Sequence, residues 1–183
     1  MTVIRRARPA DAAGIGRVYV ESWRTTYPGL IPDDYLVGLS AEVLTARWHR
    51  QLVSGPDGDG VFVAVDGGSR GVVGFVTCGA QRSRLAGYEG EVYTLYLLDE
   101  VQGRGLGRRL MAAAAAELLG RGFASGLVWV LRDNPARWFY ERLGGERLAE
   151  QTICLAHELL PEVAYGWRHL SQLTRLPANP PLE

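Results

Sequence analysis

The feature of this sequence that most constrains its fold is a strand-like segment that runs into a glycine-rich turn and then into a helix. Residues 91–97 read EVYTLYL and predict a β-strand. Residues 101–109 read VQGRGLGRR, and the alanine- and leucine-rich segment that follows predicts a helix over 105–119. Glycine costs about 1 kcal/mol relative to alanine inside a helix. Local stability therefore does not explain these glycines, and a ligand that closely approaches the backbone is the leading explanation.

A glycine turn at a helix N-terminus is suited to binding phosphate. The first helical N–H groups lack partners, and the helix dipole adds about half a positive charge. Glycines avoid Cβ clashes with a phosphate, and Arg104, Arg108 and Arg109 offer guanidinium groups. The turn is neither a dinucleotide fingerprint, since Arg108 replaces the third glycine, nor a P-loop, since the sequence contains no lysine. The alternative is that the glycines only let helix and strand pack closely.

The composition indicates one globular domain. The chain has 183 residues, of which 47% are hydrophobic, and this suits a single sizeable core. Twenty basic residues balance twenty acidic ones, so no overall field favours nucleic acid or an anionic membrane, and we predict neither as a partner. Cys78 and Cys154 form no zinc motif, and His49, His157 and His169 follow no metal-ligand spacing. We therefore predict no metal site.

The ends of the chain lack targeting signals. The N-terminal residues contain no apolar signal segment, and the nearly apolar stretch over 110–119 is too short to span a bilayer. We expect a cytoplasmic protein with a single domain over 1–172 and a proline-rich C-terminal tail over 173–183.

Apolar spacing and turn residues predict helices that alternate with strands. A strand over 3–7 is followed by helices over 10–26, 32–39 and 41–54, strands over 61–65, 72–77 and 91–97, the helix over 105–119, a strand over 127–131, a helix that begins at Asn134-Pro135 and ends before Gly144, and strands over 146–156 and 162–170. In the third helix we expect a buried stripe of Val43, Leu44, Trp48 and Leu52. This order predicts a mixed α/β (α+β) domain.

Three segments carry a family resemblance. Residues 102–107 (QGRGLG) match Gln/Arg-x-x-Gly-x-Gly/Ala, the strand over 91–97 precedes them, and residues 134–144 read NPARWFYERLG. In order and spacing they resemble the acetyl-CoA-binding motif, the fourth strand and the Asn…Ala…Phe-Tyr-x-x-Leu-Gly helix of the GCN5-related N-acetyltransferase (GNAT) superfamily. Residues 21–27 (ESWRTTY) resemble many of its bacterial members. The resemblance implies a mostly antiparallel central sheet of six to seven strands, flanked by helices and splayed between strands 4 and 5.

The resemblance also implies that acetyl-CoA is the cofactor. Its pantetheine arm is expected in the gap between the splayed strands, bound by the main chain of the fourth strand, with the pyrophosphate on the glycine turn. The cofactor-binding residues implied in this way are Leu95, Tyr96, Leu97, Gln102, Gly103, Arg104, Gly105, Leu106, Gly107, Arg108 and Asn134.

The implied reaction is attack of an amine on a thioester, which requires a proton acceptor for the amine and a proton donor for the thiolate. Tyr140 matches the position of the tyrosine that serves as the acid in the family. A phenol with a pKa of about 10 is protonated at neutral pH, so it can donate a proton. Its alternative role is packing against the sheet. Glu91, eleven residues before Gln102, is the candidate base, and its alternative is an exposed charge at a strand end. Glu21 is a weaker candidate for base or substrate contact.

The leading hypothesis is therefore an acetyl-CoA-dependent N-acetyltransferase acting on the primary amine of a small molecule. Trp23, Tyr27, Tyr93 and Tyr96 either line the acceptor groove or belong to the core. The alternatives are a protein N-terminal or side-chain acetyltransferase, a non-catalytic acyl-CoA-binding sensor, and a nucleotide- or phosphate-binding domain. The resemblance also allows a homodimer.

Overall fold

A seven-stranded sheet forms the centre of the computed structural model, which describes residues 2–54, 58–68 and 71–175. The elements in chain order are β1 (Thr2–Arg6), α1 (Ala12–Thr26), α2 (Asp33–Gly38), α3 (Ala41–Val53), β2 (Gly60–Asp66), β3 (Gly71–Ala80), β4 (Gly90–Leu97), α4 (Leu106–Gly120), β5 (Gly126–Leu131), α5 (Arg137–Arg142), β6 (Glu146–Leu155), β7 (Glu158–Trp167) and α6 (Ser171–Thr174). The β2–β3 hairpin is confirmed, although residues 69 and 70 of its turn lie outside the described ranges.

The strand order is β1-β2-β3-β4-β5-β7-β6, and every neighbouring pair is antiparallel except β4–β5. The parallel pair is short, and its last partners are Val92 and Val128. Beyond them β4 continues to Leu97 and β5 to Leu131 without pairing to each other. We call the space between these unpaired ends the gap. The predicted mixed, mostly antiparallel sheet with its splay between the fourth and fifth strands is confirmed.

Helices cover both faces of the sheet. Successive residues of a strand point to opposite sides, so β3 contacts helices on each face. Phe75 of β3 packs its ring against Trp48 of α3 at a centroid distance of 5.4 Å. Cys78, three residues further along β3, faces the other side, where its thiol donates to the carbonyl of Ala114 in α4. The main core fills the space between the sheet and α4 and extends to the inner sides of α1 and α3.

A β-bulge interrupts β4 beside the gap. Cys78 pairs with Val92 and Thr77 pairs with Thr94, so that Tyr93 is one residue more than β3 has opposite it. The extra residue shifts the alternation of side chains along β4. As a result Thr94 and Tyr96 lie on the same face as Glu91, the face covered by α1 and α3.

Val43 does not belong to the buried stripe of α3, and this prediction is wrong. Its side chain is 69% exposed, whereas Trp48 is buried and Leu44 and Leu52 are half-buried. The stripe follows i, i+4 spacing from Leu44 to Trp48 to Leu52, and Val43 lies one position, about 100°, away from it.

Two predicted boundaries near the C-terminal half differ from the structure. The helix after β5 begins at Arg137, because the backbone N–H of Arg137 bonds to the Asn134 carbonyl at 3.2 Å and forms a tight turn first. β7 begins at Glu158 because Ala156 and His157 adopt positive φ angles in a tight hairpin turn. Past Trp167 the chain leaves the sheet, and α6 buries Leu173. Residues 176–183 of the predicted tail lie outside the described ranges.

Candidate active site

The gap presents unpaired main-chain groups of β4. The N–H of Leu98 bonds to the Val73 carbonyl at 3.0 Å, so the even-numbered residues at this end of β4 bond to β3. In an antiparallel ladder the main-chain groups alternate, and those of Leu95 and Leu97 therefore point into the gap. An extended amide-bearing chain that enters the gap can bond to them as an added strand does.

Gln102 and Tyr96 have different roles from those of Leu95 and Leu97. The Gln102 amide donates to the Leu97 carbonyl at 3.2 Å and to a carboxylate oxygen of Asp99 at 3.0 Å, and so fixes the end of β4. The Leu97 carbonyl also accepts from the Ser22 hydroxyl of α1 at 3.3 Å. The main chain of Tyr96 faces β3, and its ring packs on the α1 side.

The glycines of the turn differ in backbone conformation and in the room around them. Gly103 and Gly105 have φ angles of 71° and 75°, a left-handed conformation that favours glycine. Gly107 instead has no room for a side chain, since an added Cβ would come within 3.2 Å of Phe139. The first bond of α4 runs from the Arg109 N–H to the Gly105 carbonyl, so the amides of Leu106 and Gly107 precede it at the helix end.

The three arginines of the turn differ in their surroundings. Arg104 is exposed within the turn, and Arg108 lies half-buried in the first turn of α4. The Arg109 guanidinium donates to the carbonyl of Thr2 in β1 at 3.1 Å. The expectation that Arg109 adds charge at the turn is therefore not met.

Asn134 and Tyr140 are both buried next to the gap. The Asn134 side-chain oxygen accepts the Ala136 N–H at 2.8 Å, and the Asn134 side chain also hydrogen-bonds to the Tyr27 phenol. Tyr140 packs against Phe139, Tyr165 and Trp167, with ring centroids 5.3–6.4 Å away.

Burial raises the pKa of the Tyr140 phenol, and the nearby Tyr27 phenol raises it further. The pKa of Tyr27 is itself raised by burial, against a smaller lowering by its contacts with Tyr96 and Asn134. Tyr27 therefore links the α1 side of the gap to Asn134 and Tyr140. A phenol whose pKa is raised is fully protonated at neutral pH, as a proton donor must be.

Glu91 is a buried ion-pair partner. Its side chain is only 5% exposed, and it accepts the Arg82 backbone N–H at 2.8 Å and the Arg82 guanidinium at 3.0 Å. The guanidinium also lies over the Tyr93 ring, 3.6 Å from its centroid. The alternative of an exposed strand-end charge is therefore wrong. Sequence reasoning missed Arg82, because nothing in the loop over 80–90 marks one arginine above another.

Three of the four predicted groove aromatics come together. Trp23 lies 4.9 Å from Tyr27 and 6.4 Å from Tyr96 between ring centroids, and Tyr19 stacks on Trp23. We call these four residues the aromatic cluster. Tyr93 is separate, and its hydroxyl donates to the Ala80 carbonyl.

Glu21 is not part of this arrangement. It is exposed on α1 and pairs with Arg17 at 3.4 Å.

Within the described ranges no three His, Cys, Asp or Glu side chains are grouped so that they could hold a metal ion. In the same part of the chain, each helix falls short of the length and apolar character needed to cross a membrane.

A mostly antiparallel sheet opened between two parallel strands, with a glycine turn and a helix N-terminus beyond the open strand, defines the class of acyl-CoA-dependent transferases with the GNAT fold. The left-handed glycines and the main-chain groups of Leu95 and Leu97 fit a pyrophosphate and a pantetheine arm, respectively.

Comparison with known proteins agrees with this assignment to the GNAT fold. Residues 72–154 match the FR47-like protein family. The chain is 42% identical over 177 residues to the Bacillus subtilis (strain 168) protein described as uncharacterized N-acetyltransferase YuaI, covering 96% of this chain and 98% of that one. YncA of Salmonella typhimurium, solved with its cofactor acetyl-CoA, superposes with a TM-score of 0.66 at 25% identity, over 93% and 94% of the two chains. PaiA N-acetyltransferase from Thermoplasma acidophilum, in complex with coenzyme A, shares the fold at 18% identity with a TM-score of 0.65, over 89% and 98%.

The chain belongs to the GNAT superfamily. It is an acetyl-CoA-dependent N-acetyltransferase.

Proposed function

We propose that this enzyme acetylates the primary amine of a small molecule. The observation that carries the proposal is how the acceptor side of the gap is enclosed. Tyr19 and Tyr96 of the aromatic cluster pack against the buried group of Trp23, Tyr27, Ile31 and Leu36, and so do Leu155 and Leu160 of the β6–β7 hairpin. This packing restricts the acceptor side of the gap. A polypeptide acceptor needs an open groove at this place, so the packing favours a small amine with an apolar or aromatic body.

The proposed roles follow from the geometry. Acetyl-CoA, when bound, supplies an activated acetyl thioester. The main chain of Leu95 and Leu97 holds the extended arm, the glycine turn with Arg104 and Arg108 holds the phosphates, and Asn134 donates its remaining amide hydrogens. Tyr140 gives a proton to the departing thiolate. A carboxylate on the acceptor side takes the proton of the amine, and the candidates are Glu91, which the sequence singles out, and Glu162 of β7.

A test of the acid is Tyr140→Phe. We expect kcat to fall by about 100-fold, the usual size of a general-acid contribution, while the Kd for coenzyme A stays within about twofold. Coenzyme A release is measured by chromatography and cofactor affinity by calorimetry. The matched control is Tyr165→Phe, because Tyr165 stacks on Tyr140 from β7 but gives its hydroxyl hydrogen to Glu141. A Tyr140→Phe enzyme with full turnover would remove Tyr140 from the acid role.

The substrate class is tested by an acceptor screen. The chain has no lysine, so acetyl groups found on small amines or peptides in the assay are not confused with acetylation of its own lysines. We expect turnover with small primary amines that carry apolar groups. Turnover only with peptides would indicate a protein acetyltransferase. Tight coenzyme A binding without turnover of any acceptor would indicate a sensor.

A further inference from the structure

We infer that Glu162 of β7, rather than Glu91, accepts the proton of the amine. This inference rests on the proposed function. Glu162 is cross-strand from Leu131, the last residue of β5. The β4–β5 pairing ends at Val128, so Glu162 lies at the open end of the gap. Cross-strand partners point to the same face of a sheet, and this face is the one that carries Glu91.

The neighbours of Glu162 place it on the acceptor side. Leu131 beside it and Leu160 two residues before it both pack against the buried group that contains Trp23 and Tyr27. Between Glu162 and Glu91, the same face of β5 presents Trp129, whose buried indole N–H has no hydrogen-bond partner in the described part of the chain. An unpaired, buried polar donor therefore lies between the two carboxylates.

The two carboxylates differ in their partners. Glu91 is neutralised by Arg82, which contacts both of its oxygens. Glu162 accepts a hydrogen bond from the Gln151 amide of β6 at 2.5 Å. Within residues 2–54, 58–68 and 71–175 it forms no ion pair. A carboxylate that must hold the proton of an amine is better placed without a bound cation, because a cation favours the unprotonated form.

The charged groups around Glu162 support this assignment. Burial raises its pKa, the nearby negative charge of Glu91 raises it further, and the Gln151 amide and the more distant Arg82 lower it in part. Arg132, which follows β5, pairs with Glu150 at 3.2 Å instead. A glutamate with a raised pKa is a stronger proton acceptor, and catalytic bases work best near the operating pH.

The step balances as follows. An N–H bond of the bound ammonium breaks, its proton forms an O–H bond on Glu162, and the nitrogen lone pair bonds to the thioester carbonyl carbon. The C–S bond breaks, and the sulfur takes the proton of Tyr140. The acetylated nitrogen still carries a second proton, which it releases through solvent to the Tyr140 phenolate. Glu162 then gives the first proton to solvent, and both groups are back in their starting states.

The test compares Glu162→Gln with Glu91→Gln, and Glu158→Gln is the control because Glu158 is an exposed residue of the same strand. We expect Glu162→Gln to lower kcat/KM at pH 7 by about 100-fold, with partial recovery at alkaline pH, where the amine loses its proton to solvent. The Kd for coenzyme A should not change. Glu91→Gln should keep the shape of the pH–rate profile, and Glu158→Gln should behave like the wild type.

A second readout does not depend on turnover. In a carbon-13 NMR titration of labelled glutamate, the wild type should show one carboxyl that titrates above the ordinary range, and Glu162→Gln should lack it. Gln151→Ala removes the donor that stabilises the ionised form, so the rising limb of the pH–rate profile should move to higher pH in a folded enzyme.

The outcomes are separable. If Glu162→Gln keeps the wild-type pH–rate profile, or if Glu91→Gln alone loses the rising limb, Glu162 is not the base and the proposed function stands. If the wild type acetylates no small amine, the proposed function fails. A glutamate titration with no raised carboxyl overturns the assignment in either case.

Discussion

At the scale of single residues, Arg82 determines what Glu91 can do. The Arg82 side chain is 63% exposed, whereas the Glu91 side chain is 5% exposed. A largely solvated guanidinium is therefore paired with a buried carboxylate. The Tyr93 ring holds the guanidinium from its other side. Burying a carboxylate is costly unless it is paired and hydrogen-bonded, and Arg82 supplies both conditions. Arg82 thus occupies both carboxylate oxygens of Glu91.

The two cysteines should differ strongly in reactivity. Burial raises the pKa of the Cys78 thiol to about 12, and its sulfur faces the Ala114 carbonyl inside the core. Cys154 is exposed on β6. Because only the thiolate reacts, we expect one fast-reacting thiol at pH 8, and the second only in denaturant.

Ellman's reagent counts the thiols, and Cys154→Ser is the matched variant that should abolish the fast phase. Two fast thiols in the native enzyme would contradict the burial of Cys78. An unreactive Cys78 also agrees with direct transfer of the acetyl group to the amine, with no cysteine intermediate.

At the scale of elements, the glycine turn is predicted to hold phosphate through its backbone conformation, and Gly105→Ala tests this. Gly105 has a φ of 75°, which costs an L-residue roughly 1–2 kcal/mol. The turn should relax, and its amides should no longer converge. We expect the Kd for coenzyme A to rise about tenfold, with a modest loss in thermal stability.

The control for this prediction is Gly120→Ala, at the last residue of α4, where an added Cβ meets no atom within 4 Å. This change should leave coenzyme A binding unchanged, since alanine favours the helix. Calorimetry gives both affinities. Wild-type affinity in Gly105→Ala would show that the turn does not bind the cofactor.

Local patterns predicted most of the elements, and what they missed depends on contacts distant in sequence. The strand, glycine turn and helix of 90–120 follow from residue types, as does the β2–β3 hairpin. The bulge at Tyr93 depends on how β3 and β4 pair. Glu162 stands in an ordinary strand sequence, and only the register of β5 and β7 brings it to the end of the gap. Its neighbours, rather than its residue type, make it a candidate base.

At the scale of the whole molecule, arginines join the N-terminal strand to the rest of the domain. Arg6 pairs with Glu117 of α4 at 2.5 Å, and Arg109 of α4 reaches the carbonyl of Thr2. The same helix begins at the glycine turn and packs on four strands of the sheet. Contacts at the outer edge of the sheet therefore help to fix the helix whose N-terminus is proposed to bind phosphate.

The strongest of these N-terminal contacts predicts how stability depends on pH. The buried Asp11 carboxylate accepts two bonds from the Arg5 guanidinium, at 2.7 and 2.9 Å, and the Arg8 N–H at 2.8 Å. The Arg5 bonds lower the pKa of Asp11 below its ordinary value of 3.8, burial opposes them in part, and the Arg8 N–H lowers it again. Because the pKa of Asp11 is lower in the folded state, its contribution to the free energy of unfolding is complete above the pKa of the unfolded chain. This contribution is lost as the pH falls through the pKa of the folded state.

Asp11→Asn should therefore lower the free energy of unfolding at pH 7 by about 1–3 kcal/mol, the usual range for bonds to a charged group. The difference from the wild type should shrink below about pH 4 as the wild-type carboxyl becomes protonated. Urea unfolding at pH 7 and pH 3 measures it. Glu21→Gln is the control, because an exposed i, i+4 pair contributes only about 0.3–0.5 kcal/mol. An equal difference at both pH values would mean that Asp11 stabilises the fold by its shape and not by its charge.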